Sequence, residues 1–179
     1  ATGQVDKARD EARRLLEALS PFVARGVPVV GLEPSCLFTL RDEFLSLGLG
    51  EAARATADNA LLFEEFLVRE KKAGRLALDL KPLAEKNALL HGHCHQKAFG
   101  VMSAVQEALA LVPDLAVTPI ESSCCGMAGS FGYEAEHYAT SIAMAELSLM
   151  PAVRKADADT LIVADGTSCR HQIADGANR

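Results

Sequence analysis

The chain has 179 residues, 49% of them hydrophobic and 23% charged, a length that suits one domain with a core or two small lobes. Its formal net charge of −6 and its lack of tryptophan argue against a nucleic-acid surface, because neither a basic stripe nor a stacking platform is available. No apolar run approaches the roughly 20 residues that cross a bilayer, and the N-terminus has no apolar signal segment.

The first part of the chain predicts two long helices separated by a short strand. Apolar residues recur with a helical period over residues 4–24. The face expected to be buried carries Val5, Ala8, Ala12, Leu15, Leu19 and Phe22. Residues 28–32 predict a buried strand, and Pro34 predicts the start of a helix. Residues 51–72 are expected to form one longer helix that buries Phe63.

The second part of the chain predicts strands that alternate with helices. Residues 75–86 are expected to form a surface connection. After them we expect a strand at 87–91, a helix at 96–112, a strand at 115–120, a loop at 121–133, a helix at 134–150 that buries Tyr138, and a strand at 160–164. This alternation predicts an α/β fold of βα units with a mostly parallel sheet.

An internal repeat indicates two related lobes. The run that ends at Cys36 and the run that ends at Cys169 each contain an apolar strand, a tight turn, Ser-Cys and the start of a helix. Residues 1–84 are therefore expected to hold the end of a first lobe, and residues 85–179 most of a second. Because the chain lacks an initiator Met and opens inside a helical pattern, we expect it to be excised from a longer protein, with the second lobe truncated at its C-terminus.

The cysteines predict a metal or redox site. Five cysteines without a secretory signal are typical of such chemistry in a reducing, cytoplasmic compartment. Cys94, the pair Cys124-Cys125 and Cys169 each follow a predicted strand. Because the carboxyl ends of parallel strands meet at one edge of a sheet, we expect these four thiols to share one cleft. The helix that follows each strand would favour the thiolate form.

The adjacent pair Cys124-Cys125 is the most specific of these features. Adjacent cysteines are strained as a disulfide, but they can reach two metals of one cluster, or supply one ligand and one reactive thiol. Gly126 permits a turn with positive φ directly behind them. Zinc bound by four cysteines, or by three and a histidine, competes with an iron–sulfur cluster. Cys36 taken alone is as consistent with a small buried hydrophobe as with a ligand.

Several histidines lie close to these cysteines. His91 and His93 flank a strand end and His95 begins a helix, so we expect one of the three to hydrogen-bond a thiolate or to act as a ligand. His171 lies two residues after Cys169 and is expected either in the same cleft or on a helix surface. A nucleophilic pair of Cys94 and His95 is also possible, but it leaves the other cysteines unexplained.

These motifs resemble a known family. His91-x-x-Cys94-His95, Cys124-Cys125-Gly126 and Ser168-Cys169-Arg170-His171 are similar to the CCG, or cysteine-rich, domain. That domain occurs in heterodisulfide reductase, in the iron–sulfur protein of glycolate oxidase and in anaerobic glycerol-3-phosphate dehydrogenase. The glycine-rich stretch after Gly126 looks closest to the C-terminal region of large FAD-linked oxidases.

The resemblance implies a function and a set of ligands. It implies an iron–sulfur cluster, such as 4Fe-4S, and its ligands would be Cys94, Cys124, Cys125 and Cys169. The region that holds this cluster would mediate electron transfer for a flavin-linked dehydrogenase. The substrates of that dehydrogenase would be 2-hydroxy acids similar to lactate, glycolate or 2-hydroxyglutarate. FAD would lie in a module absent from this chain, which would therefore show no turnover alone. The electron acceptor would be a quinone or a similar carrier, and the protein cytoplasmic or peripheral at the inner membrane. A structural zinc module for docking and a metal-free reactive-thiol site remain the alternatives.

The sequence departs from the family pattern at one position. The pattern is Cys…Cys-Cys-Gly…Cys-x-x-Cys, and Gly166 stands where the first cysteine of the closing pair is expected. The five thiolates that hold a noncubane cluster in heterodisulfide reductase are therefore reduced to four in this lobe. Cys36 matches the closing cysteine of the first repeat.

Overall fold

The computed structural model describes residues 3–179 and shows an α/β fold with parallel strands, which confirms the predicted fold class. The chain divides into two compact units, Ala1–Phe66 and Leu67–Arg179. The predicted lobes, 1–84 and 85–179, stay a prediction, because compactness alone does not test whether the two parts are copies of one another.

The first unit consists of helices around a two-stranded parallel sheet. In chain order its elements are α1 (Val5–Val23), β1 (Val29–Gly31), α2 (Pro34–Arg41), α3 (Glu43–Ser46), α4 (Gly50–Asn59) and β2 (Ala60–Leu62), and α5 (Phe63–Lys72) continues into the second unit. Val29 pairs with Ala60, and Gly31 pairs with Leu62. Phe38 of α2 and Leu62 of β2 are almost completely buried and form part of its core.

The prediction of one helix over residues 51–72 is wrong. The chain leaves α4 at Asn59, forms β2 and starts α5 at Phe63. A run of only three apolar residues is too short for its period to distinguish a strand from a helix, and here pairing with β1 determines the outcome. Phe63 is consequently 40% exposed instead of buried.

The buried face of α1 also differs from the prediction. The helix buries Ala12, Leu16 and Val23, whereas Leu15 and Phe22 are exposed. Leu15 and Leu16 are both apolar, so the pattern fixes the buried face only to within about 100° of rotation around the helix axis.

The second unit contains a three-stranded parallel sheet. Its strands are β3 (Asn87–His91), β4 (Ala116–Pro119) and β5 (Leu161–Ala164), in the spatial order β4-β3-β5. Its helices are α6 (Cys94–Ala98), α7 (Met102–Leu109), α8 (Tyr138–Glu146), α9 (Leu149–Lys155) and α10 (Thr167–Ala177), with a 3₁₀ turn at Phe131–Tyr133. Leu90 of the central strand pairs with both Pro119 and Val163, so the three carboxyl ends lie at one edge.

Two helices predicted in this unit are each divided in two. The helix expected at 96–112 is interrupted at Gly100, whose φ of 68° ends α6 before α7 begins. The helix expected at 134–150 begins only at Tyr138 and breaks before α9. Pro151 lies in the first turn of α9, where no intrahelical hydrogen bond is required of it, but it cannot continue α8. Tyr138 is 60% exposed, so the prediction that it is buried is wrong.

The core of the second unit extends to the edge that carries the cysteines. One cluster of buried side chains comprises Ile120, Cys125, Met127, Leu149, Val153, Ala164, Cys169 and Ile173. Two cysteine sulfur atoms, those of Cys125 and Cys169, are thus part of the apolar core and not of the surface. A charge that develops on either of them lies in a medium of low polarity, where charged partners and ligands act strongly.

Candidate metal centre

Three strand-to-helix connections bring the predicted site residues to one edge of the β4-β3-β5 sheet. His91 is the last residue of β3, and Cys94 is the first residue of α6. The loop after β4 carries Cys124 and Cys125, and Cys169 is the third residue of α10, just after β5. A charge on Cys125, Cys94 or Cys124 would raise the pKa of Cys169, so the four thiols lie in one region.

The innermost part of this region is a buried trio of His91, Cys125 and Cys169. Each residue offers one ligand atom, and these atoms all lie within 4.8 Å of one another. Sulfur ligands about 2.3 Å from a tetrahedral metal are about 3.8 Å apart, so the spacing of the trio suits one metal atom. None of the three residues is more than 4% exposed.

The two sulfur atoms of the trio differ in their protonation. A hydrogen bond from the Cys169 thiol, assisted by His91 and opposed by burial, lowers the pKa of Cys125 to about 4. The same hydrogen bond, together with burial, raises the pKa of Cys169. Without a metal the pair therefore holds one thiolate at Cys125 and one thiol at Cys169.

The other two predicted ligands lie outside the trio. Cys94 is exposed, with its sulfur 3.9 Å from Nδ1 of His93. Loss of solvent around this sulfur, and then the charge of Cys124, raise the pKa of Cys94. Cys124 is partly buried, and its sulfur accepts a hydrogen bond from the Gly126 amide at 3.3 Å. The structure thus brings Cys125 and Cys169 into direct contact. Cys94 and Cys124 lie outside this contact, in the same region.

The loop with the adjacent cysteines is fixed by Gly126 and Gln172. Gly126 has a φ of 93°, and a Cβ atom there would lie 2.1 Å from the carbonyl oxygen of Ser141. The buried amide of Gln172 donates to the Cys125 carbonyl at 2.9 Å and to the Ser141 hydroxyl at 2.9 Å. These contacts connect the loop to α8 and α10 and hold the Cys125 sulfur in place.

A second set of hydrogen bonds connects the ends of β3 and β5. His93 caps α6 by accepting the His95 amide at 3.2 Å, and its own amide donates to Gln96 Oε1 at 2.9 Å. Gln96 is fully buried and donates through Nε2 to Asp165, directly after β5, at 2.5 Å. The ring of His95 stacks on that of His93 with centroids 5.1 Å apart.

Gly166, which stands where the family pattern has a cysteine, faces the same region. A Cβ atom at this position would lie 3.2 Å from the Cys169 sulfur and 2.4 Å from Cδ2 of His93. A side chain at residue 166 would therefore point toward the thiols, and the ring of His93 now occupies that space.

Lys97 places a positive charge beside the thiols. Its ammonium group donates to the carbonyls of Ser122 and Ser123, the latter at 2.9 Å, just before the adjacent cysteines. Burial lowers the pKa of Lys97, and a thiolate charge on any of the four cysteines acts in the opposite direction. Sequence reasoning missed Lys97, although it lies two residues after His95 in a run already known to be rich in possible ligands.

The remaining predicted candidates, His171 and Cys36, are not members of the trio. His171 is exposed, and its Nδ1 lies 2.5 Å from the hydroxyl of the exposed Tyr133. Cys36 belongs to the first unit, where it is exposed and is the third residue of α2. It thus follows β1 as Cys169 follows β5.

The fold and this site define an α/β protein with a cysteine–histidine centre, and its relatives are dehydrogenases. One subunit of the anaerobic glycerol-3-phosphate dehydrogenase of Escherichia coli (strain K12) is 34% identical over 174 residues, which are 97% of this chain and 43% of that protein. The D-2-hydroxyglutarate dehydrogenase of Escherichia coli (strain K12) is 29% identical over 96% of this chain, which is 16% of that protein. The D-2-hydroxyglutarate dehydrogenase of Pseudomonas putida is 31% identical over 83% of this chain, which is 14% of that protein.

The chain therefore spans less than half the length of the relatives it matches. Its similarity to the glycerol-3-phosphate dehydrogenase and to the 2-hydroxyglutarate dehydrogenases agrees with the expected redox context. No protein-family model and no solved structure matches the chain. Within residues 3–179, no helix is both long and apolar enough to cross a bilayer.

Proposed function

We propose that this chain is the cysteine-rich redox region of a flavin-linked 2-hydroxy-acid dehydrogenase, in which it holds an iron–sulfur cluster and relays electrons. The observation that carries the proposal is the buried trio of His91, Cys125 and Cys169. An imidazole nitrogen and two sulfurs converge there, and two further cysteines lie nearby. The dehydrogenase relatives supply the redox context.

The four cysteines Cys94, Cys124, Cys125 and Cys169 would be the thiolate ligands. A bound iron–sulfur cluster supplies one-electron transfer. The chain itself supplies the ligands, the amide of Gly126 that hydrogen-bonds one sulfur, and the charge of Lys97 that offsets thiolate charge. Such hydrogen bonds and charges raise the reduction potential of a centre by stabilising its more negative state.

The rest of the proposal concerns the protein to which this region belongs. FAD and the hydroxy-acid site would lie in a flavin module of the same parent chain or complex, so this region alone would not turn over substrate. The electrons would pass to a quinone or a similar acceptor, in the cytoplasm or at the inner face of the membrane. Residues 1–84 and 85–179 would be parts of two related lobes.

Two other functions each have one observation in their favour. The nitrogen and sulfur ligands of the trio would also suit a structural zinc ion, in a module that docks the dehydrogenase to its partner. The lowered pKa of Cys125 would suit a metal-free reactive thiol, although burial restricts access to this sulfur.

Reconstitution tests the proposal with a matched pair of cysteine variants. The chain is purified without oxygen, supplied with ferrous iron and sulfide, and desalted. We expect a brown protein with visible charge-transfer absorption, which is lost in Cys125→Ser and retained in Cys36→Ser. A colourless, iron-free wild-type product would contradict an iron–sulfur function, and equal loss in both variants would contradict the ligand assignment.

A further inference from the structure

His91 has a buried nitrogen atom without a partner. The residue ends β3 and is 1% exposed, and its Nε2 makes no hydrogen bond among the described residues. Buried polar atoms almost always have partners, so an exception in a native fold calls for a ligand, an ion or a water molecule. His91 also helps to lower the pKa of the neighbouring Cys125, so a ligand that occupies this space would contact both residues.

The other nitrogen of the ring is engaged. Nδ1 of His91 lies 2.8 Å from the hydroxyl of Ser122, in the loop after β4. With the proton on Nδ1, this contact is a donated hydrogen bond, and Nε2 keeps its lone pair. Histidines that bind metals usually donate their second nitrogen in this way, because the contact fixes both the tautomer and the ring orientation.

The neighbouring histidines are placed differently. Nδ1 of His93 accepts the His95 amide as a helix cap, and its ring packs where a side chain of Gly166 would lie. Nδ1 of His95 also has no hydrogen-bond partner among the described residues, but His95 is only partly buried and groups with His93 and Cys94, not with the two buried sulfurs. Of these three histidines, His91 alone joins the two buried sulfurs in one group of ligand atoms.

We infer that Nε2 of His91 is a ligand of the centre, which is therefore a mixed nitrogen–sulfur site with Cys125 and Cys169 as its inner thiolates. This inference rests on the proposed function, because it requires that the site binds a metal. On binding, the metal gains one neutral imidazole and two thiolates, and the proton of Cys169 leaves to solvent. The imidazole adds a ligand without adding a negative charge.

The consequence is a centre with a higher reduction potential than an all-cysteine one. A neutral nitrogen in place of a thiolate makes the oxidised state less stable relative to the reduced state. In Rieske centres, where two histidines replace two cysteines on one iron, the potential is raised for this reason. The centre would then favour accepting electrons from a donor such as a reduced flavin.

X-ray absorption at the metal edge tests this assignment. The chain is loaded without oxygen with ferrous iron and sulfide, and a second sample with zinc alone. We expect a nitrogen shell in addition to the sulfur shell in the wild type. The nitrogen shell is lost in His91→Gln, with metal retention at least tenfold weaker. It is retained in the matched control His95→Gln, while His91→Cys binds the metal through sulfur alone.

The possible failures are distinguishable. A sulfur-only shell in the metal-loaded wild type, or an unchanged spectrum in His91→Gln, would overturn the assignment of His91 and leave the proposed function standing. A wild-type chain that retains neither iron nor zinc would overturn both. The wild-type spectrum is informative by itself, so a variant that fails to fold does not remove the test.

Discussion

At the residue scale, the contact between Cys125 and Cys169 determines the charge of the metal-free site. One sulfur gives up its proton at low pH because the other keeps its own and donates it in a hydrogen bond. The strand pattern predicted that both cysteines lie at strand ends, but it did not indicate which two of the four thiols would touch. That choice depends on Gly126, which fits closely against Ser141 of α8, and on Gln172 of α10, which hydrogen-bonds the Cys125 carbonyl.

The metal-free chain should show one thiolate that forms at unusually low pH. We expect the ultraviolet absorbance of thiolates to rise with a midpoint near 4, the value to which the pKa of Cys125 is lowered. Cys125→Ser should abolish this transition. Cys169→Ala should move its midpoint upward, because the main stabilising hydrogen bond is lost. A first transition at the ordinary thiol range in the wild type would contradict the proposed pairing.

The same pair predicts how stability depends on pH. The pKa of Cys125 lies near 4 in the folded state and near 9.0 when unfolded, so between these values the unfolded chain binds more protons and the free energy of unfolding rises with pH. Above a pH of about 9 the free energy of unfolding falls as the pH rises, because folded Cys169 keeps a proton that the unfolded chain loses. Urea unfolding of the metal-free wild type and Cys125→Ser should therefore differ most near pH 9, and curves that stay parallel with pH would contradict this account.

Gly126 should tolerate no side chain. In Gly126→Ala, the positive φ and the clash with the Ser141 carbonyl should lower the free energy of unfolding by about 2 kcal/mol or more. Gly129→Ala is the matched control, because Gly129 also has a positive φ, but a Cβ atom there would meet nothing within 4 Å. We expect a loss of about 1 kcal/mol for the control. Equal losses in urea unfolding would show that the close approach to Ser141 is unimportant.

At the element scale, the strand ends were predictable and the interruptions between helices were not. The runs that became β3, β4 and β5 are bounded by polar and turn residues, so their position follows from local sequence. β2 was missed because three apolar residues between two helices acquire a strand identity only from β1, about thirty positions earlier. Long-range pairing of this kind leaves no local signal.

Leu62 tests whether β2 contributes to the core of the first unit. It is fully buried, so Leu62→Ala should lower the free energy of unfolding by about 2–5 kcal/mol. Leu32→Ala, at a residue that is 72% exposed in the same unit, should change it by less than about 0.5 kcal/mol. Urea unfolding followed by circular dichroism measures both, and a negligible effect at Leu62 would argue against the buried strand.

At the scale of the whole molecule, parallel topology explains why distant cysteines meet. Each of the two units has a strand that leads into a helix whose third residue is a cysteine, Cys36 in α2 and Cys169 in α10. The convergence of the second unit could be predicted because parallel strands share one carboxyl edge. The inner position of His91 could not, because three histidines lie within five positions and only the packing separates them.

The most direct test of the central claim is the elemental composition of the wild-type chain after purification without oxygen. The claim is that the edge formed by β3, β4 and β5 holds a metal centre. We expect iron and acid-labile sulfide to be retained together, and to be lost in parallel when both Cys125 and Cys169 are replaced by serine. A wild-type chain without iron or zinc, even after both have been supplied under reducing conditions, would contradict it.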